Sequence, residues 1–220
     1  MRWVRAVGRA VGQWVGKSPG TYVWLLLLAL TSFVVARADP GTLDFFLQQR
    51  STNIDHLTSD PVRVLLASLI WTEQANFPFY FVLFHVFHVP AERWLGTRRW
   101  LTVALTAHVV ATFVSEGVVA WGVHRHLLPE NMSTTVDVGV SYALAGVEGV
   151  LTYALAGVWG TVYGYGLIGF YLVPLLLSHT FTDLGHFCSV LIGLAFRPIT
   201  RGRPRWDPWR TVTALRRRGG

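Results

Sequence analysis

The chain has 220 residues, of which 52% are hydrophobic and 14% charged, with 10 Trp and 21 Gly, and this composition is not that of a soluble domain. Several apolar segments approach the roughly 20 residues needed to cross a hydrocarbon core of about 30 Å, so the chain reads as a polytopic membrane protein. The net charge of +7 does not mark a nucleic-acid binder, because 15 of the 19 Lys and Arg fall in three clusters at the ends of apolar spans. The lone Cys188 excludes an internal disulfide and says nothing about compartment.

In chain order, residues 1–20 form a basic leader. Its stretch MRWVRAVGRAVGQWVGK puts Trp3, Val7, Val11 and Trp14 on one helical face and Arg2, Arg5 and Arg9 largely on another. That pattern suits either an interfacial helix lying on anionic headgroups of the cytoplasmic leaflet or a disordered basic leader. Residues 21–198 are the membrane domain, and 199–220 a basic tail. The predicted spans are Tyr22–Val35, a second from Trp71–Glu73 that ends before Glu92, and a third from Trp100 to Val123. They continue with Asp137–Gly157, Trp159–Leu177 and a sixth from Asp183 to Arg197. Six spans place both termini on one side, together with all three basic clusters, and the positive-inside rule makes that side cytoplasmic. The loops 37–62, 124–136 and 178–183 then face outward. "ARA" at 36–38 resembles a signal-peptidase site, but cleavage there would leave five spans and break the charge pattern. Trp3, Trp14, Trp24, Trp71, Trp94, Trp100 and Trp121 fall near span ends, as an aromatic belt would.

Polar side chains inside spans are costly and need a reason. At about 1.5 Å per residue, Asn76 lies about 21 Å above Pro90, Ser141 about 24 Å above Gly157 and His186 about 16 Å above Arg197. All three therefore belong to the outer half of the bilayer. A serine and a histidine on separate helices at similar depth are the minimum for a nucleophile and a general base. Taken singly, each has a plain structural use: a membrane serine bonds its own turn, and a membrane histidine packs. His85, His88, His108, His124, His126 and His179 read as interfacial or packing residues. No His/Cys/Asp/Glu spacing suits a metal, and no cofactor is expected. Glu148, on nearly the same face as Ser141 but about 10 Å deeper, is expected to bond a neighbouring helix. "YALAGV" occurs at 142–147 and 153–158, an eleven-residue step that would keep one helical face aligned for packing.

Glycines around these side chains carry a family resemblance. "GVSY" (Gly139–Tyr142) resembles the G-x-S-G nucleophile motif of rhomboid intramembrane serine proteases. "GHFCSVLIGLAF" (Gly185–Phe196) resembles their last core helix, where a catalytic histidine is followed by small residues at four-residue steps. "ERWLGTRRWLTVALT" (Glu92–Thr106) resembles their second-to-third-helix junction, and "DPVRVLLASLIW" (Asp60–Trp71) looks like the segment before their second helix. Order, spacing and span number match over about residues 20–198. The pattern departs at four places. Tyr142 replaces the second motif glycine, and Ala145 stands where an aromatic often stacks on the histidine. Asn76 and Tyr80 align with the usual His and Asn of the second helix. No Trp-Arg pair is evident in 37–60.

The resemblance implies an all-α bundle of six transmembrane helices in which Ser141 is the nucleophile and His186 the base. The Ser141 backbone N–H and Asn76, with Tyr80 beside it, would hold the oxyanion. Gly139, Tyr142, Gly185, Ser189 and Gly193 would be site packing. Gly139, Ala143 and Gly146 on one side, and Ser189 and Gly193 on the other, would let the fourth and sixth spans approach closely. The implied partners are transmembrane protein substrates, whose helix would enter sideways, and a lipid bilayer with anionic headgroups; no nucleic acid is expected. The expected location is a bacterial plasma membrane. The rivals are an inactive rhomboid-like protein that binds membrane helices, and a small transporter, which would need more charge in the inner half of the membrane than the sequence offers.

Overall fold

A computed structural model describes residues 12–39, 52, 54–71, 76–129, 132 and 139–207. The leader before residue 12, Glu73, Asp137, most of the first outer loop and the tail beyond Asp207 lie outside these residues. All named elements are helical: α1 (Pro19–Arg37), α2 (Ile54–Ser59), α3 (Pro61–Ser68), α4 (Phe77–Leu83), a π turn (Phe84–His88), α5 (Val89–Leu95), α6 (Thr97–His124), α7 (Val140–Leu151), α8 (Val158–Ser178) and α9 (Phe181–Ala195). Short 3-10 turns follow α7 at Thr152–Ala154 and α9 at Arg197–Thr200. Three helices, α1, α6 and α8, are long and apolar enough to cross a membrane alone. The other three predicted spans are met by α4–π turn–α5, by α7 and by α9.

Local chemistry sets several of the boundaries. Pro19 and Pro61 occupy first helical positions, where a missing N–H costs nothing. Asp60 caps α3 by accepting Arg63 N–H at 3.3 Å, and Thr180 caps α9 by accepting Asp183 N–H at 3.1 Å. The second span runs past its predicted end. Glu92, expected beyond it, sits inside α5, 1% exposed. Its carboxylate accepts Gly20 N–H at 2.9 Å, Thr21 N–H at 2.7 Å and the hydroxyls of Thr21 and Thr97, each at 2.7 Å. An anion here answers the orphan amides at the start of α1 and lies beside the start of α6, both positive dipole ends. Trp71, expected at the outer start of that span, is not helical. The π turn above α5 has its own cause. Pro90 has no N–H to offer Val86, and Val89 bonds Phe84 O five residues back.

The widened turn buries His88, which stacks on Phe84 at 4.1 Å and accepts the Trp100 indole N–H at 3.1 Å. Trp24 and Trp100 are therefore core residues, 7% and 1% exposed, and not part of an aromatic belt. Below α7 the chain also departs from the predicted span. Its helical turns end at Ala154, and Leu155 pairs with Trp206 in an isolated parallel bridge (Trp206 N–H to Ala154 O 2.7 Å, Ala156 N–H to Trp206 O 2.9 Å). Gly157 then takes φ +58 before α8 begins. The second YALAGV copy is thus a helix-ending turn, and only its Tyr153 packs against the core.

The segment after α9 forms a strap across one end of the bundle. Trp94 donates to Pro204 O at 2.6 Å, Arg99 to Ile199 O at 3.1 Å, and Arg203 to Leu95 O. Arg93 stacks on Trp14 at 3.6 Å and donates to its carbonyl at 2.8 Å. Arginines of the 92–99 turn and of the segment after α9 meet at this end, beside Trp14 of the leader.

Candidate active site

α7 is buried from Tyr142 to Val150, enclosed chiefly by α6 and α9, and Ser141 lies in its first turn, half-buried. Two contacts seat that turn. Gly139 donates its N–H to Ser68 O at 3.1 Å, and a Cβ on Gly139 would run into the His108 ring. His108 is itself fixed by Leu65 O at 3.0 Å and by the Ser68 hydroxyl at 3.3 Å. The motif glycine is therefore explained by close approach to a histidine of α6. The first helical backbone bond runs from Ala143 N–H to Gly139 O, so the Ser141 N–H has no partner within the helix.

The crossing of α7 and α9 is close to backbone-on-backbone. A Cβ on Gly193 would strike Gly146 O, and one on Gly149 would meet Val190 O at 2.5 Å. Gly139 and Gly146 turn toward α6, where Gly146 faces the Ala107 methyl. Their expected role in approaching the sixth span thus falls in part to Gly149, which sequence reading passed over. Gly185 opens space for Tyr142: an added Cβ would lie 2.5 Å from its ring. A bulky ring after the serine is accommodated by a missing side chain on the facing helix. Ser189 is fully buried and its hydroxyl has no hydrogen-bond partner.

His186 sits between two tyrosines. The Tyr142 ring meets it edge-on at 5.0 Å, and the Tyr171 ring of α8 lies tilted by 37° at 5.8 Å. The aromatic neighbour that Ala145 does not supply thus comes from α8. Tyr171 donates to the Glu148 carboxylate at 2.8 Å, and Tyr163 to the Glu148 carbonyl at 3.1 Å. Glu148 bonds a neighbouring helix, as its position in the sequence implied. No sequence signal marked Tyr171, because its partners lie 15 and 23 residues away in the chain.

Ser141, His186 and Tyr80 line one cavity of about 720 Å³ between α4, α7, α8 and α9, with Glu148, Tyr163 and Tyr171 on its walls. The remaining lining is apolar. Among the described residues, no hydrogen bond joins Ser141 to His186. Asn76 is exposed at the start of α4, its side chain caps nothing there, and it does not line the cavity.

A family model described as rhomboid-like protein matches residues 13–206, through all six spans and both halves of this cavity. The chain belongs to the rhomboid-like family. No curated protein and no solved structure matches it. As a rhomboid-like protein it is an all-helical integral membrane protein, and its strap up to Trp206 falls within the match.

Proposed function

We propose that this rhomboid-like protein is an intramembrane serine protease that cleaves transmembrane helices near their outer ends. One observation carries the reading: Ser141, His186 and Tyr80, from three different helices, open onto the same cavity. In the proposed reaction, Ser141 Oγ attacks the scissile carbonyl carbon while His186 takes the hydroxyl proton. The resulting oxyanion is held by the Ser141 N–H at the positive start of α7 and by the Tyr80 hydroxyl. His186 returns the proton to the leaving amine, and water then hydrolyses the acyl-enzyme by the same base. The substrate helix would enter between α4 and α8. α8 stands off the bundle, with 11% of its most apolar stretch buried against 50% for α6, and presents Phe170 outward beside the cavity.

A second reading, an inactive member that holds membrane helices in this same cavity, is favoured by the absence of a Ser141–His186 hydrogen bond among the described residues. A serine-directed fluorophosphonate in native membranes separates the two. Labelling that disappears in Ser141→Ala is expected, and no labelling of the wild-type protein would leave the binding role. Asn76→Ala tests the remaining oxyanion assignment. A true donor costs about 10²–10³ in turnover when removed. Because Asn76 lies outside the cavity lining, a turnover per folded molecule within about threefold of wild type is expected, whereas a 10²-fold loss would restore it to the site.

A further inference from the structure

At the arginine-rich end of the bundle, two cavities share a wall that has no part in the proposed chemistry. The larger, about 660 Å³, is lined by Phe87, Pro90, Trp94, Leu151 and Ala154 and closed by the strap residues Pro204–Trp206. Its size falls within the range of about 300–1,000 Å³ that small-ligand sites occupy. The smaller, about 260 Å³, has a lining of mixed polarity that includes Arg197, Arg205, Thr152 and Thr161 beside Gly157 and Gly160. Leu155 and Arg205 line both. We propose that this paired cavity binds one anionic phospholipid, its phosphate between Arg197 and Arg205 and its acyl chain in the apolar chamber.

Charge complementarity selects the occupant. Arg197 and Arg205, both exposed, line the same small pocket, and among the described residues no carboxylate lines either cavity. The Arg197 guanidinium lies 6.0 Å from the centroid of the Tyr153 ring, another residue of the smaller cavity's lining. The Thr152 hydroxyl is buried with no hydrogen-bond partner. Guanidinium forks suit phosphate oxygens bidentately, which favours a phosphate over a single point-charge ligand. A free phosphate would leave the adjoining apolar chamber unfilled, whereas a phospholipid fills both with one molecule. The strap that forms the wall is fixed by main-chain bonds to Ala154 and Ala156 and by the Trp94 bond to Pro204, so the Arg205 side chain is not needed to hold it.

The test uses full-length protein stripped of lipid in detergent, then given phosphatidylglycerol or phosphatidylcholine, with bound lipid counted by native mass spectrometry. One phosphatidylglycerol per protein is expected to survive, and no phosphatidylcholine. Each phosphate-facing arginine near a membrane surface contributes about a fivefold change in affinity. Arg205→Gln should therefore weaken retention about fivefold and Arg197→Gln/Arg205→Gln about 25-fold. Arg98→Gln, which removes an exposed charge from the same end outside both cavities, should match wild type. Equal losses in Arg98→Gln and Arg205→Gln would show only diffuse charge attraction and overturn the site. So would equal retention of phosphatidylcholine, or displacement of phosphatidylglycerol by inorganic phosphate, which would make a free anion the ligand. The single variant keeps the test decisive if the double one fails to fold, and none of these readouts depends on proteolysis.

Discussion

Tyr171 shows how a single side chain can join two roles that the sequence keeps apart. Its ring lies beside that of His186 at 5.8 Å, and its hydroxyl satisfies the buried Glu148 carboxylate at 2.8 Å. An imidazole without a neighbour on that side could swing into the cavity, and a displacement of about 1 Å at a catalytic group can cost about 10²-fold. Two substitutions separate ring from hydroxyl. Tyr171→Phe keeps the ring and should retain most fluorophosphonate labelling of Ser141, while losing stability because a buried carboxylate loses a donor, about 1–3 kcal/mol. Tyr171→Ala should lower the labelling rate by one to two orders of magnitude. Equal labelling by both variants, at wild-type rate, would remove Tyr171 from any positioning role. The role was not legible in the sequence, since a tyrosine among the apolar residues of α8 carries no periodic or motif signal. Ser141 and His186 stood out in the sequence for their glycine neighbours, and both line one cavity, although Gly139 makes room for His108.

At the scale of elements, glycines in the same composition do opposite work. Gly193 faces the Gly146 carbonyl across the α7–α9 crossing, and any side chain there must push two backbones apart. Gly193→Val should cost about 1–3 kcal/mol, and more where the helices cannot yield, read as a lower apparent Tm in detergent. Gly169 in α8 has nothing within 4 Å of where a Cβ would be. Gly169→Ala should instead raise stability by about 0.5–1 kcal/mol, because it lowers the backbone freedom lost on forming the helix. A stabilised Gly193→Val would mean the crossing is looser than described. The two copies of YALAGV mark the limit of reading elements from pattern. The first is buried helix in α7, while the second breaks at Leu155, where Trp206, about fifty residues on, takes its backbone bonds. Identical local propensity is overruled by a tertiary partner. Glu92 was missed for the same reason: a carboxylate near a span end reads as a boundary until the amides of Gly20 and Thr21, more than seventy residues earlier, are brought to it.

At the scale of the whole molecule, charge and fold agree on one asymmetry. Arg93, Arg99 and Arg203 make their contacts at the end where Trp14, Leu95, Ile199 and Pro204 meet, although their clusters lie far apart in the chain. Three helices cross by apolar length alone and three further passes are made by shorter apolar helices; six passes would bring both ends of the match out on the same side. What composition did not reveal is that Arg99 and Arg203 also tie the strap down. Cationic residues beside short loops resist translocation, so this end should stay cytoplasmic and the exposed turn after α6 should face outward. Single cysteines in a Cys188→Ser background measure this with a membrane-impermeant maleimide on intact cells. His126→Cys, exposed beyond the end of α6, should label without permeabilisation, and Arg201→Cys, exposed on the strap, only after it. The reverse pattern would turn the protein over, placing the Ser141–His186 cavity near the inner leaflet and the paired arginine cavity toward the outside. Labelling of both sites in intact cells would instead break the six-span parity on which the common side of the two termini rests.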